Sequence, residues 1–188
     1  IDISIEHIDI GGGIGIKYSD EVPPTFSDYA NTVKNTLKDR DLKIIFEPGR
    51  ALIGKAGILL TEVEYIKHSL EKNFIIINAA MNDLMRPSLY GAFHEIINLS
   101  PTDSEKKHYD IVGPVCETGD FLGKDRLLSA VEGNILAVLD AGAYGMSMSS
   151  NYNSRPKVSE ILIDDDKLHL IRNRETFADL INGEQLLP

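Results

Sequence analysis

The chain has 188 residues, of which 43% are hydrophobic and 26% charged, a mixture typical of soluble globular proteins. Its 29 acidic and 19 basic residues give a formal net charge of −10. Phosphates would be repelled, so we expect no nucleic acid and no anionic membrane as the main partner. The longest apolar stretches, such as residues 74–80, are far below the ~20 residues that a membrane-spanning helix needs. The single cysteine, Cys116, fits a reducing compartment and predicts a cytoplasmic protein.

The first 50 residues predict a strand, a helix and a second strand. Residues 3–10 alternate apolar and polar and run into the glycine-rich loop 11–15. Residues 25–40 place apolar side chains at helical spacing, with a hydroxyl residue near the start available as the N-cap. Residues 42–46 form a short apolar run. A strand, a helix and a strand in so short a segment predict a βαβ unit with parallel strands.

The pattern changes after about residues 51–56, which we take as a domain boundary between residues 1–52 and residues 53–188. Many short strands joined by short turns predict an antiparallel sheet or barrel in the second part. In its first strand, Val63 and Tyr65 are expected to share one face. The predicted strands are residues 57–67, 74–79, 110–112, 135–139, 158–163 and 168–172. The acidic turn at 164–166 joins the last two, and a short helix follows at 175–181.

Two loops that follow the predicted parallel strands contain candidate phosphate-binding residues. The triple glycine 11–13 is not a dinucleotide fingerprint, because Ile16 and Tyr18 stand where a further glycine would be needed. Its backbone N–H groups could approach a phosphate, but a bulged turn explains the glycines equally well. Residues 47–50, Glu-Pro-Gly-Arg, end the second strand. By itself this segment favours a turn with a surface ion pair, whereas the two loops together favour a phosphate site.

Three further segments combine reactive or charged side chains with turn residues. Arg86 and Tyr90 are four residues apart and share one face if the segment is helical, although an exposed arginine is the simpler explanation. Cys116 and Glu117 lie in a loop bounded by glycine and proline, where a buried inert thiol is the alternative. Tyr144 stands among small residues that leave room for a flat ligand or mark a packing corner. The histidines show no ligand spacing with Cys116, so we expect no metal site.

These segments resemble one enzyme family in their order and spacing. The Cys-Glu-x-Gly-Asp loop at 116–120, together with Asn-Asp-Leu-Met-Arg-Pro-x-Leu-Tyr at 82–90, resembles the diaminopimelate decarboxylases. The Glu-Pro-Gly-Arg segment at 47–50 is shared with ornithine and arginine decarboxylases. The resemblance extends over essentially the whole chain, to residues 172–180. It implies an α/β plus all-β fold, in which the last βαβ unit of a (β/α)₈ TIM-like barrel precedes a C-terminal antiparallel β-barrel or sandwich domain.

The resemblance also implies a pyridoxal 5'-phosphate cofactor. Glu47 would face its pyridine nitrogen, and Gly49 and Arg50 would lie at its phosphate. Tyr144 would contact both the cofactor and the substrate. The full set of implied cofactor-binding residues is Gly13, Glu47, Pro48, Gly49, Arg50 and Tyr144.

The same resemblance assigns the substrate contacts and the proton donor. Arg50, Arg86 and Tyr90 would hold substrate carboxylates, with Tyr144 also in contact with the substrate. Glu117 would bind a substrate ammonium group, and Cys116 would return a proton to the carbon that loses CO₂. Family members place the cysteine and the glutamate in the active site of the other subunit, which implies a homodimer. Thr118 stands where serine is usual, a mild departure.

One family feature is absent. The lysine that binds the cofactor lies on the first barrel strand, upstream of the glycine loop, and no lysine precedes Ile10 here. The chain also begins at Ile1 without a methionine. We therefore expect it to be the C-terminal portion of the enzyme, and we expect this portion to be inactive by itself.

The leading hypothesis is decarboxylation of meso-2,6-diaminopimelate to L-lysine and CO₂. The distal end of that substrate carries a carboxylate and an ammonium group, which Arg86 and Glu117 would match. Ornithine needs only an acid at its distal end, so an arginine there would be an unpaired repulsive charge. The alternatives are a related decarboxylase acting on carboxynorspermidine, arginine or ornithine, and a non-catalytic homologue.

Overall fold

The computed structural model describes residues 5–187. Strands β1 (His7–Asp9) and β2 (Lys43–Ile45) pair in parallel, and helix α1 (Phe26–Leu37) connects them. Residues 3 and 4 of the first predicted strand lie outside the described residues. The predicted strand–helix–strand order and the parallel pairing are confirmed over the remainder.

Helix α1 begins where its sequence supplies a capping box. The Thr25 hydroxyl accepts a hydrogen bond from the Asp28 backbone N–H at 3.1 Å, and the Asp28 carboxylate accepts one from the Thr25 backbone N–H at 3.3 Å. Such reciprocal caps satisfy two backbone donors that the first turn leaves unpaired. The local sequence therefore supplies the capping contacts at the start of this helix.

After α2 (Gly49–Ile53) and a 3₁₀ turn (Gly54–Ala56), the chain builds one six-stranded sheet. Its strands lie side by side in the order β5-β8-β3-β4-β6-β7. The strands are β3 (Leu59–His68), β4 (Asn73–Ile77), β5 (Ile96–Asn98), β6 (Lys107–Val112), β7 (Phe121–Leu128) and β8 (Ile135–Val138).

The prediction of a purely antiparallel sheet was wrong, because β4 and β6 pair in parallel. Between them the chain forms helix α3 (Arg86–Tyr90) and then β5, which pairs with β8 at the far edge of the sheet. A crossover of this length returns the chain to the sheet in its original direction, which a short hairpin could not do. The other neighbouring strands of this sheet are antiparallel.

The sheet curls until its two edge strands approach each other. A Cβ built on Gly123 of β7 would lie 3.0 Å from Cδ1 of Ile96 on β5. The interior of this nearly closed barrel is apolar. Its fully or almost fully buried members include Val63, Ile75, Ile77, Leu84, Ile111, Leu122, Leu136 and Val138.

The prediction that Val63 and Tyr65 share a face was also wrong. Val63 is 1% exposed, whereas Tyr65 is 56% exposed. The pairing of β3 with β4 shifts register between these two residues. Such a bulge inserts one residue and reverses the alternation beyond it, so Ile66 rather than Tyr65 packs against the core.

The last part of the described chain is a hairpin followed by a short helix. Strands β9 (Glu160–Asp164) and β10 (Lys167–Arg172) are antiparallel, and α4 (Phe177–Leu180) follows them. These elements confirm the predicted acidic turn and terminal helix. In the described part of the chain, no helix combines the length and the apolar character needed to cross a membrane.

Candidate active site

The glycine loop and the Glu47–Arg50 segment are in direct backbone contact. The Glu47 N–H donates to the Gly11 carbonyl oxygen at 2.9 Å, and a Cβ on Gly12 would lie 2.8 Å from the Glu47 carbonyl oxygen. Gly12 is therefore required for the two loops to meet. Gly13 has φ +66° and faces the Tyr29 hydroxyl, so its backbone conformation also favours glycine.

The side chains offered at this junction have the chemistry that a phosphorylated pyridine needs. Glu47 and Arg50 are both exposed, and Gly13 and Gly49 beside them are exposed as well. A Cβ on Gly49 would meet no atom within 4 Å, so the backbone there is open to a ligand. An exposed carboxylate, an exposed guanidinium and open backbone therefore occur within four residues of one another, and this set of groups has the chemistry to hold such a ligand.

Tyr144 belongs to a loop that packs on the end of α2. A Cβ on Gly142 would overlap the Ile53 carbonyl oxygen, so this close approach requires glycine. Tyr144 itself has φ +62° and is 45% exposed. A left-handed backbone at a non-glycine residue is uncommon and occurs often at functional sites. The loop thus brings Tyr144 to the same part of the molecule as the helix that carries Arg50.

The segment from Arg86 to Tyr90 is helical and forms α3, so the condition on which the two residues were expected to share a face is met. Arg86 is 7% exposed and Tyr90 is 66% exposed, so the simpler explanation of an exposed arginine was wrong. The Arg86 Nη1 donates to the Tyr18 hydroxyl and to His94 Nε2, each at 2.8 Å. Its guanidinium carbon also lies 4.7 Å from the centre of the Tyr18 ring. Tyr18 thereby links the chain beyond the glycine loop to α3.

Sequence reasoning missed His94. Its imidazole is fully buried, and Nδ1 donates to the Leu139 carbonyl oxygen at 2.8 Å. Since Nδ1 carries the proton, Nε2 is the acceptor for Arg86. Burial lowers the pKa of His94, and the charge of Arg86 lowers it further. A lone histidine gives no signal in a single sequence that would reveal such a contact.

The loop that carries Cys116 and Glu117 is held by the buried carboxylate of Asp120. Oδ1 accepts from the Met81 N–H at 2.7 Å, and Oδ2 accepts from the Val115 N–H at 2.6 Å. A Cβ on Gly113 would lie 2.5 Å from Oδ2, so glycine there makes room for the carboxylate. Burial raises the pKa of Asp120.

The same loop docks on α3 and exposes its two candidate functional groups. The Ser88 hydroxyl of α3 donates to the Gly119 carbonyl oxygen. Glu117 accepts from the Gly119 N–H at 3.2 Å and from the Tyr152 hydroxyl at 3.4 Å. Cys116 is exposed, so the alternative of a buried thiol was wrong.

A second polar network, which the sequence did not reveal, supports the segment that leads into α3. Arg155 donates from Nε to the Asn82 Oδ1 at 3.0 Å and from Nη2 to the Asn78 carbonyl oxygen at 2.7 Å. Asn82 in turn donates to the Ser150 carbonyl oxygen at 3.1 Å. Asn82 is fully buried, and buried polar groups paired in this way fix the geometry of the loops that carry them.

Comparison with known proteins gives the class to which this arrangement belongs. The family model described as the C-terminal sheet domain of pyridoxal-dependent decarboxylases matches residues 13–161. The chain belongs to this family.

Within that class, the relatives are diaminopimelate decarboxylases, as the motifs predicted. The chain is 52% identical over 186 residues to the diaminopimelate decarboxylase of Pseudomonas aeruginosa, covering 99% of this chain and 45% of the relative. The crystal structure of the diaminopimelate decarboxylase from M. jannaschii superposes with a TM-score of 0.92 at 43% identity, over 99% of this chain and 44% of that one. The Helicobacter pylori enzyme complexed with L-lysine gives a TM-score of 0.89 at 44% identity, over 95% and 44%. The chain thus spans less than half the length of these relatives.

Proposed function

We propose that the chain is the C-terminal part of a diaminopimelate decarboxylase, which converts meso-2,6-diaminopimelate to L-lysine and CO₂. The observation that carries this proposal is that the chain contains both a restrained cation, Arg86, and an exposed acid on an anchored loop, Glu117. A homodimer would bring the two together from its two subunits. Arg86 would bind a carboxylate and Glu117 an ammonium group. A substrate whose distal end is itself an amino acid needs both.

The residues at the loop junction would hold pyridoxal 5'-phosphate. Glu47 would accept a hydrogen bond from the protonated pyridine nitrogen. Arg50, with the backbone of Gly13 and Gly49, would bind the phosphate. Tyr144 would contact the ring and the substrate. When bound, this cofactor supplies the electron sink for the electron pair left behind as CO₂ departs.

The substrate would be oriented by its carboxylates and its distal ammonium group. Arg86 and Tyr90, with Arg50, would hold the carboxylates, and Glu117 would hold the ammonium. Tyr152 supports this assignment, because its hydroxyl donates to the Glu117 carboxylate and so restrains its orientation. An ornithine-like substrate would leave the Arg86 charge without a partner.

Cys116 would be the acid that returns a proton to the carbon from which CO₂ leaves. Its thiol is exposed while the rest of its loop is anchored through Asp120 and Ser88. An anchored loop that presents an exposed thiol is suited to act on a neighbouring surface. We therefore place Cys116 and Glu117 in the active site of a second subunit of a homodimer.

The strands β1 and β2 with α1 would be the last βαβ unit of a (β/α)₈ barrel. Ile45 and Phe46 are 44% and 41% exposed, and the remaining barrel would cover such apolar surface. We divide the chain at residue 52, because the βαβ unit ends near there and the large sheet follows, and residues 53–188 would form the β-domain.

The barrel would also supply the lysine that binds the cofactor, so residues 1–188 would be inactive by themselves. A cytoplasmic location suits the exposed thiol.

The test uses the complete gene product that contains this chain. Release of CO₂ is measured with meso-diaminopimelate, ornithine, arginine and carboxynorspermidine as substrates, and we expect turnover of diaminopimelate. Arg86→Ala should lower kcat/KM by orders of magnitude, whereas Arg40→Ala, at an exposed site, should leave it unchanged. Preference for another substrate would overturn the assignment, and a protein that neither binds the cofactor nor releases CO₂ would be a non-catalytic homologue.

A further inference from the structure

The contacts of the Arg86 guanidinium leave one defined edge for a ligand. Nη1 carries two hydrogens, and the Tyr18 hydroxyl and His94 Nε2 accept them. Among residues 5–187, Nε and Nη2 have no hydrogen-bond partner, and neither is among the fully buried unpaired side-chain atoms of that part of the chain. The Nε and Nη2 hydrogens are parallel and form the side of the guanidinium fork that binds a carboxylate in a bidentate manner.

The imidazole of His94 determines which edge of the Arg86 guanidinium remains available to a ligand. It is fully buried and is fixed by its bond from Nδ1 to the Leu139 carbonyl oxygen, at the end of β8. The ring of Tyr18 packs edge-on against it, with 5.2 Å between the ring centres. With the ring fixed in this way, Nε2 can only present its lone pair to Arg86. The arginine side chain is therefore restrained at its guanidinium tip.

We propose that His94 is a positioning residue that holds the Arg86 guanidinium with its Nε/Nη2 edge presented to the distal carboxylate of the substrate. This inference rests on the proposed function of the chain as part of a diaminopimelate decarboxylase. His94 itself does not touch the substrate. It sets the orientation of a flexible cation, whose rotamer freedom would otherwise be lost on each binding event.

Two polar substitutions separate the two contacts that His94 makes. Asn is short, so its amide can replace Nδ1 and donate to the Leu139 carbonyl oxygen, but it cannot reach Arg86. Gln is longer, so its amide oxygen can replace Nε2 and accept from Arg86. His94→Asn should therefore weaken carboxylate binding, and His94→Gln should restore most of it. Both variants keep a hydrogen-bonding group in the buried site.

The experiment measures binding of two ligands to the complete holoenzyme by calorimetry. L-Lysine retains the distal carboxylate of the substrate, and 1,5-diaminopentane lacks it but is otherwise the same diamine. In His94→Asn we expect the Kd for L-lysine to rise about 10–100-fold, equivalent to the loss of one or two oriented hydrogen bonds to a charged group. The Kd for the diamine should stay within about twofold of its value in the unmodified enzyme. The KM for diaminopimelate should rise in parallel with the Kd for L-lysine.

Each outcome decides the proposal. A selective loss for L-lysine in His94→Asn that His94→Gln reverses supports it. Unchanged L-lysine binding in His94→Asn, or an equal loss for both ligands with a lowered Tm, overturns it. If His94→Asn does not fold, a folded His94→Gln that binds L-lysine poorly overturns it as well. Failure of the proposed function is distinct, because the unmodified enzyme would then not release CO₂ from diaminopimelate.

Discussion

Oδ1 of Asp120 accepts a hydrogen bond of 2.7 Å from the backbone N–H of Met81, which lies 39 positions earlier in the chain. The other carboxylate oxygen accepts from the Val115 N–H at 2.6 Å. One buried side chain thus ties the loop of Cys116 and Glu117 to the segment that leads into α3 with Arg86. The position of the loop that carries Cys116 and Glu117, relative to α3, depends on this carboxylate.

Asp120→Asn should destabilise the protein, because one of the two oxygens would become an NH₂ group facing a backbone N–H. The expected loss is about 1–3 kcal/mol in the free energy of unfolding, the cost of leaving a buried donor without an acceptor. Denaturant unfolding of the complete enzyme measures it. Asp125→Asn is the matched control, since the Asp125 side chain is 80% exposed and its change should stay within about 0.5 kcal/mol. Equal stability of the two variants would contradict the bridging role of Asp120.

Much of the fold could be predicted because the relevant signals are local. The capping box of Thr25 and Asp28 specifies the start of α1, and the acidic turn at 164–166 specifies the β9–β10 hairpin. Strand β7 was not predicted, because the composition of its residues 123–126, Gly-Lys-Asp-Arg, is typical of a polar turn. Within this segment Asp125 has φ +53°, a turn-like conformation. Strand β5 has three residues, too few to show an alternation.

The candidate residues could be selected from their motifs, but their environment could not. The burial of Arg86 depends on Tyr18, 68 positions earlier in the chain, and on a histidine that no motif singles out. The chain between the parallel strands β4 and β6 contains β5, which pairs with the distant strand β8. Such contacts between distant segments are set by tertiary packing, which a single sequence does not encode as a periodic pattern.

Gly142→Ala should loosen the contact between the Tyr144 loop and α2. Its added methyl group would overlap the Ile53 carbonyl oxygen, and backbone cannot move aside as a side chain can. Overpacking of this kind costs about 1–3 kcal/mol or more, so we expect a lower Tm and weaker cofactor binding in the complete enzyme. Gly15→Ala is the control, because a Cβ there meets no atom within 4 Å. A Gly142→Ala variant as stable as that control would exclude the close contact.

His94 predicts a pH dependence of stability. Burial and the charge of Arg86 lower the pKa of His94 from its usual 6.5, with Arg126 acting in the same direction and Asp140 and the Leu139 carbonyl opposing them. The unfolded chain then binds a proton more readily than the folded one, so stability is fully present above pH 6.5 and falls as the pH drops below it. Thermal unfolding at pH 7.5 and 5.5 measures this loss, which His94→Gln should reduce. An equal loss in both proteins would assign it to other groups.

Cys116→Ala tests the proposed proton donor. General acid catalysis contributes about 10²–10⁴-fold, so kcat of the complete enzyme should fall by that factor. KM for diaminopimelate should change little, because the thiol is not assigned to substrate binding and is exposed on an anchored loop. Thr118→Ser, two positions along the same loop, controls for local disturbance and should retain full turnover. If Cys116→Ala kept its kcat while Thr118→Ser did too, the proton would have to come from another group, and the role of this loop would reduce to the carboxylate of Glu117.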